Sequence, residues 1–458
     1  MVFFMKKVSS IITVFIILGA FLIFLNPVSA GNIHVYPGDD IVAKIGAAEP
    51  GDTVYVHYGT YDISTYPNGI EINNPNVTII GDDPLNTIID CRGGSDICIG
   101  NYDYTNKILN DITIKNLGLR NFQLYGITFK GSNVTIENCK FDLTTDVIPV
   151  SGDLSCILGI GDNWSVKNVS MSDNIFYNGI RIIGISGYGN NWLIDGFEFD
   201  RNLFKITSTF RPVVGGGNNW TIKNGTVNNN TLENGEALIG VYLAGKSPFL
   251  IKNISISGNK LLRGTYLEGI NLDVDNPYLT ENSLIINCTV SNNSINNIYT
   301  DGRSVYGISA IGVGITVENC IVSSNTASDD LTPVYGIWVP PLLFFNSIIY
   351  SNSWNNKDNW GQAFGGVEPG EGCISVDPIF TKGPLGEFYL SNLSPCVDSG
   401  SDLAKNLSLS TGFTTNVKGV FDRGTVDMGY HYPSIGGSET QYLPVDKIIK
   451  ILKENEEK

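Results

Sequence analysis

At 458 residues the chain is long enough for one large domain or two to three ordinary ones, and its 42% hydrophobic content is ample for a core. Only 16% of residues are charged while glycine numbers 51, a mix that suits a turn-rich β protein over a helical one. A net charge of −16 argues against nucleic acid and anionic membrane surfaces as partners, and an acidic polysaccharide would need a bridging cation.

The chain opens on Lys6 and Lys7, an apolar run from Ile11 to Leu25, and the small residues Val28, Ser29 and Ala30. This reads as a secretory signal over 1–30, cleaved after Ala30. The run is short for a membrane span. Retained, it would be an anchor and the chain's one route to a membrane. Export makes the protein secreted or cell-surface and permits disulfides. Among the eight cysteines, Cys91/Cys98 and Cys373/Cys396 are the local pairs. The three histidines, at 34, 57 and 431, are far apart in sequence and no Cys-x-x-Cys occurs, so a zinc site has little support.

Asp39 to Glu49 places Ile41, Val42, Ile45 and Ala48 at helical spacing. A helix is predicted there, capping the N-terminal coil of a strand array. Next comes "PGDTVYVHYGTY" (50–61), a strand and turn. From about residue 77 to about 352 the chain repeats. Asn168 has counterparts at Gly196, Asn224, Asn253, Asn287, Asn319 and Asn346, at intervals of 28, 28, 29, 34, 32 and 27. Two residues before each stands an apolar residue, from Val166 to Phe344. Six residues after each stands asparagine: Asn174, Asn202, Asn230, Asn259, Asn293, Asn325 and Asn352.

Short runs with alternating apolar residues lie between these positions, as strands require. Such short strands cannot bury a face alone; stacked in parallel, each coil pairs with the next and like residues stack on like. The asparagine column then forms a ladder at a bend, each amide bonding its neighbours above and below. Trp164, Trp192 and Trp220 share parity with the apolar column and are expected to stack inside the core. The alternative is an exposed platform for carbohydrate. Cys139, Cys288 and Cys320 come directly after the bend asparagines and are expected to fill the interior, where neighbouring coils would permit a Cys288–Cys320 bridge.

The motifs "PGDTVYVHYGTYD" (50–62), "VTIIGDDPLNTIID" (77–90) and the repeated units resemble right-handed parallel β-helix proteins of the pectin-lyase-like superfamily. "VDPIF" (376–380), "LSPCVDSG" (393–400) and "VDMGYHYP" (426–433) resemble the C-terminal signature of the choice-of-anchor Q group of secreted β-helix proteins. The resemblance implies an all-β, right-handed parallel β-helix of about ten coils over 31–433. After it, 434–458 read as a linker and a short amphipathic helix carrying Val445, Ile448, Ile449 and Leu452 on one face. The superfamily holds lyases, glycosidases, epimerases, adhesins and surface proteins, so the fold alone does not fix chemistry. Polygalacturonase-like enzymes carry Asn-Thr-Asp, Asp-Asp, Gly-His-Gly and Arg-x-Lys. Only "NIYTDG" (297–302) and Asp329-Asp330 echo them, and no histidine lies between 57 and 431.

The best polar constellation is "GINLDVDNPY" (269–278), where Asn271, Asp273 and Asp275 alternate with Leu272 and Val274. On a strand these three share one outward face, and such oxygen ligands suit Ca²⁺, the one cofactor the sequence suggests. The next coil brings Asp301 and Arg303 to the same side. Glu236 and Glu268 precede equivalent strands and are expected to stack as a carboxylate pair. The favoured function is non-catalytic binding of a glycan or cell surface by the coil wall. The alternative is polysaccharide cleavage, lyase-like rather than polygalacturonase-like, with Asp301, Arg303, Glu236 and Glu268 as its candidate residues.

Overall fold

A computed structural model describes residues 30–92, 96–101, 107–143, 153–177, 179–205, 207–274, 282–296, 304–340, 346–362 and 365–434. The expected signal at 1–29, the tail from 435, and Asp275, Asp301 and Arg303 lie outside the described residues. The fold is the expected right-handed parallel β-helix, of about nine turns. Among the described residues every strand pairing inside the solenoid is parallel. Two antiparallel pairs, Phe380–Gly383 with Gly386–Leu390 and Phe413–Thr414 with Tyr432–Pro433, belong to the C-terminal region.

One coil shows the plan. Residues 207–216 form a first wall, and the backbone turns at Gly217 and Asn219, both at positive φ. Residues 220–223 form a second wall, Asn224 turns at φ 56°, and 225–228 form a third. Asn229 turns at φ 58°, and Thr231–Leu232 make a short fourth wall. Asparagine recurs at these bends because its short polar side chain tolerates the left-handed backbone.

The tryptophans lie inside, as expected. Trp164, Trp192 and Trp220 are each 1% exposed, with rings 4.8 and 4.7 Å apart and parallel within 2°. Each indole N–H donates at 2.8 Å to a glycine carbonyl, of Gly131, Gly161 and Gly189 in turn. The first wall makes room with Gly159, Gly187 and Gly215, where a Cβ would stand 2.7 Å or less from an indole carbon. The "GNNW" motif thus does two jobs: Asn191 and Asn219 make the bend, and the tryptophan behind each fills the core.

The asparagine ladder forms from Asn174 to Asn325. Each side-chain N–H bonds the next coil's side-chain oxygen at 2.9–3.1 Å. From Asn202 on, the same amide also donates to a carbonyl of the preceding coil, such as Met171, Phe199 or Val227. Each oxygen accepts a backbone N–H as well, as Asn259 does from Asn230. The ladder residue itself is not left-handed; the residue before it is, as at Asp173, Arg201, Asn229 and Gly258.

The last rung departs from the sequence expectation. Asn325 bonds Asn356 at 3.1 Å, not Asn352. Ser347–Ile349 pairs with Thr316–Glu318, so Tyr350, at φ 45°, occupies the bend expected of Asn346. Extra residues before the second wall shift the final coil by four. Asn352 instead sits in the third wall and donates to the Val376 carbonyl at 2.8 Å.

The predicted N-terminal helix is present but short, Ile41–Gly46, with Asp40 accepting from the Ala43 N–H at 2.9 Å. Ile41 and Ile45 are buried in the main core. Cys91 and Cys98 are bridged as expected. Cys373 and Cys396 are free, as are Cys288 and Cys320. The last two are buried and their thiols donate to the Ile286 and Glu318 carbonyls at 3.3 and 3.2 Å, so they fill the interior and form no bridge.

Beyond the solenoid the chain returns as a strap along a second asparagine column. Asn319 bonds Ser401 in both directions, Asn287 donates to the Asp427 carbonyl, and Asn253 exchanges two bonds with the His431 backbone. The segment "VDMGYHYP" is therefore a clasp running back over three coils.

The inner ladder should dominate stability. Asn259→Val leaves several buried N–H and C=O groups unpaired, and should cost about 3–5 kcal/mol. Asn191→Gly keeps the positive φ and removes only exposed bonds, and should cost under about 1 kcal/mol. Urea unfolding of the two variants beside the parent checks the ranking.

Candidate functional site

The outer face of the first wall carries the polar constellation. Its strands include Gly179–Tyr188, Tyr266–Val274, Ser304–Ile311 and Val334–Trp338. Leu267, Ile270 and Leu272 point into the core. Strict alternation would then set Glu268 and Asn271 on opposite faces, but Gly269 interrupts it. A Cβ there would meet a Val290 methyl at 2.4 Å and the Gly307 carbonyl at 2.5 Å. Gly240, Gly307 and Gly336 repeat this in neighbouring coils, each with a Cβ position closed off by core or backbone atoms. The extra residue acts as a bulge does, re-aiming the side chains after it.

Glu268 and Asn271 consequently meet, with the Asn271 amide donating to the Glu268 carboxylate at 2.6 Å. In register, Glu268 lies between Ile239 and Tyr306, and Tyr306 lies beside Tyr335. Phe210 pairs with Leu238, which sets Arg211 beside Ile239 in the same column. Arg211 is thus two strands from Glu268, about 10 Å along the stack. The adjacent column holds Tyr242, Asn271, Ser309 and Trp338. The Arg211 guanidinium lies 5.8 Å from the Tyr242 ring centroid. Tyr306 packs against Tyr335 at 5.0 Å and against Trp338 at 5.5 Å.

Electrostatics single out Glu268. It is 8% exposed, and burial pushes its carboxyl above the ordinary value of 4.5, opposed by the Asn271 bond and the Arg211 charge. Burial also raises the Tyr306 hydroxyl, which the Glu268 charge pushes further, so Tyr306 stays protonated. Among the described residues, three buried polar atoms on this patch have no hydrogen-bond partner: Arg211 Nε, Asn271 Oδ1 and Trp338 Nε1. An orphaned buried donor or acceptor costs about 1–3 kcal/mol, so such a cluster calls for an explanation.

Of the residues chosen from sequence, Glu268, Asn271 and Asp273 share this outward face, Asp273 being exposed beyond the other two. Glu236 does not join them. It is exposed, and its carbonyl accepts from the Thr265 N–H and hydroxyl, so it stacks on Thr265 while Glu268 stacks on Ile239. The expected carboxylate pair is absent because the strands align three residues away from the motif-based match. Arg211, Tyr242, Tyr306, Tyr335 and Trp338 carry no motif and are not among the sequence candidates. The repeat register, carried from the second wall into the first, would have aligned them.

A second acidic group, Asp398, Asp422 and Asp427, has ligand atoms within 4.8 Å of one another. Its carboxylates could hold a metal ion, but several of their oxygens already accept hydrogen bonds within the fold. Asp427 accepts from the Asp398 N–H and the Thr415 hydroxyl, and Asp422 Oδ2 accepts from the Asp427 N–H. His431 Nδ1 faces the Gly429 carbonyl at 3.0 Å, so it carries a hydrogen, while Nε2 meets Asp422 at 2.8 Å. One proton is shared across that contact. These groups tie the clasp together.

No protein-family model matches the chain, and no curated protein sequence does. Solved structures do. The pectate lyase Pel9A aligns over 82% of this chain and 93% of its own at 14% identity, with a TM-score of 0.38. The A-module of the Azotobacter vinelandii mannuronan C-5 epimerase AlgE6 aligns over 74% and 94% at 14% identity, with a TM-score of 0.35. The GH87 alpha-1,3-glucanase of Streptomyces thermodiastaticus aligns over 77% and 70% at 13% identity, with a TM-score of 0.32. This likeness concerns the fold and selects no reaction.

Burial of Glu268 carries a stability signature. Because the folded state holds its proton more tightly than the unfolded chain, the penalty is absent below pH 4.5 and grows as pH rises through the raised value. Glu268→Gln should remove that loss, leaving the protein as stable as the parent at pH 4 and more stable at pH 7. Thermal melts of both proteins across this range test the sign.

Proposed function

We propose that the first wall binds a polysaccharide bearing carboxylates and cleaves it by β-elimination. The carrying observation is the cluster of unpaired buried atoms, Arg211 Nε, Asn271 Oδ1 and Trp338 Nε1, around the buried carboxyl of Glu268. Sugar hydroxyls both donate and accept, and sugar rings present apolar faces, so a glycan suits a patch of orphaned polar atoms among Tyr242, Tyr306 and Trp338. Arg211 supplies a fixed positive charge for a substrate carboxylate in a chain whose net charge is −16.

In the elimination, Glu268 as a carboxylate takes the proton from the sugar carbon next to the carboxylate. The electron pair left behind forms a carbon–carbon double bond as the glycosidic C–O bond breaks. The departing oxygen takes the Tyr306 hydroxyl proton. Arg211 stabilises the negative charge that builds on the substrate carboxylate. A raised Glu268 brings its proton affinity nearer working pH, which improves it as a base. The orphaned Asn271 Oδ1 and the exposed Asp273 carboxylate are oxygen donors of the kind Ca²⁺ takes, so they fit as part of a Ca²⁺ set. Bound there, the ion would supply further charge neutralisation.

The buried Glu268 favours this reading over passive binding by the wall, the function the sequence favours; burial raises its carboxyl in the direction a general base needs, which passive binding does not call for. The export expected from the signal-like N-terminus would accord with a polymeric substrate. Incubation with a panel of uronate polysaccharides, with and without Ca²⁺, should release unsaturated ends absorbing in the ultraviolet. Glu268→Gln should lower the rate by roughly 10²–10⁴-fold while retaining binding. Binding without cleavage by the parent would return the protein to the passive reading, and neither binding nor cleavage would remove the site.

A further inference from the structure

Two histidines that are distant in sequence meet at the N-terminal end of the solenoid. His34 lies in the strand Asn32–Val35, and His57 comes directly after Thr53–Val56, which pairs with it in parallel. In register His34 pairs with Tyr55, 21 residues on, so His57 stands one coil on and two residues further along the strand. His34 Nδ1 stands 3.0 Å from His57 Nε2, and His57 Nδ1 stands 3.2 Å from Asp82 Oδ2, on the coil after. Their distance along the sequence does not keep this pair apart in space. His431, wholly buried in the clasp, stays apart.

The protons are fixed by the partners. Asp82 also accepts the Tyr58 N–H at 3.0 Å, so its oxygen is an acceptor and His57 Nδ1 is the donor. His57 Nε2 is then bare in the neutral ring, with its lone pair toward His34. A carboxylate on the far nitrogen of an imidazole is the outer partner that orients metal-binding histidines and raises their basicity. Tyr36 stacks on His57 at 4.4 Å and Tyr55 on His34 at 5.2 Å, which limits the ring positions.

We propose that His34 and His57 form a surface site for a divalent transition-metal ion, with Asp82 as the positioning residue. Two nitrogens bound to one ion at about 2.0–2.1 Å stand about 2.9 Å apart at a right angle and about 3.3 Å apart at a tetrahedral one. The 3.0 Å separation of these nitrogens already falls in that interval. The rings are parallel within 2° and meet edge to edge, as a shared proton requires. An ion taking the place of that proton keeps the separation and requires the two rings to tilt toward it, within the limits set by their stacking partners. The proton leaves to solvent. Imidazole donors select Cu²⁺, Ni²⁺ and Zn²⁺ over Ca²⁺ and Mg²⁺, with Cu²⁺ tightest. Water fills the remaining positions on this exposed face. The site stands apart from Glu268 and does not depend on the proposed cleavage.

Calorimetric titration of the full chain with CuCl₂ and with ZnCl₂, after chelator treatment, tests the site. One ion per chain is expected, undisturbed by millimolar Ca²⁺. His34→Asn and His57→Gln should each weaken binding at least about 100-fold, and Asp82→Asn by about 10–100-fold. The nitrogen splitting in the Cu²⁺ spin-resonance spectrum should fall from two imidazoles to one in either histidine variant. No saturable binding by the parent overturns the proposal. So does unchanged affinity in His57→Gln.

Discussion

The structure depends on keeping buried corners of a parallel stack hydrogen-bonded. Each coil must turn sharply, and a turn leaves peptide groups without ladder partners. At the corner after the third wall these groups are buried, so water cannot serve them. The amides from Asn174 to Asn325 serve them instead, each bonding its own kind in the next coil and the backbone of the one before. Asparagine alone combines a donor and an acceptor at this length. Aspartate would add a charge to the column, and serine lacks the reach. The repeat of about 28 residues is the consequence, because every coil must return an asparagine to the same corner.

Once the corner is fixed, the walls inherit their register, and columns on the outer faces are set by backbone pairing. Arg211, Glu268 and Tyr306 therefore converge although they come from three coils, while the glycines of the first wall re-aim the side chains beside them. The same logic joins His34 to His57 and Asp82, and it gives the C-terminal clasp a ready row of acceptors and donors at Asn253, Asn287 and Asn319. A solenoid turns sequence spacing into spatial adjacency, and its sites are built across coils rather than within motifs.

The legibility of the chain divides along that line. The inner ladder and the tryptophan stack are readable because each is a single column with one residue type. The final rung is not, because Tyr350 takes the bend that asparagine takes elsewhere, and no composition rule marks that exchange. The site is half legible. Asn271 and Asp273 obey simple alternation, whereas Glu268 joins them only through the interruption at Gly269. Glu236 falls three residues out of alignment when matching motifs stand in for strand pairing. Arg211 and Trp338 carry no local signal; only the register of the first wall shows that they face the same patch. The histidine pair is hidden as long as distance is judged along the chain, because one coil is the relevant unit.

The central claim is that the first wall is the ligand-binding face. A crystal structure of Glu268→Gln soaked with a uronate oligosaccharide tests it directly. The expected result is sugar along the first wall, with hydroxyl or carboxylate oxygens on Arg211 Nε and Trp338 Nε1, a hydroxyl donating to Asn271 Oδ1, and a ring packed on Tyr242 or Tyr306. Sugar bound on another wall, or the first wall bare at saturating oligosaccharide with those three atoms still unpaired, would contradict it.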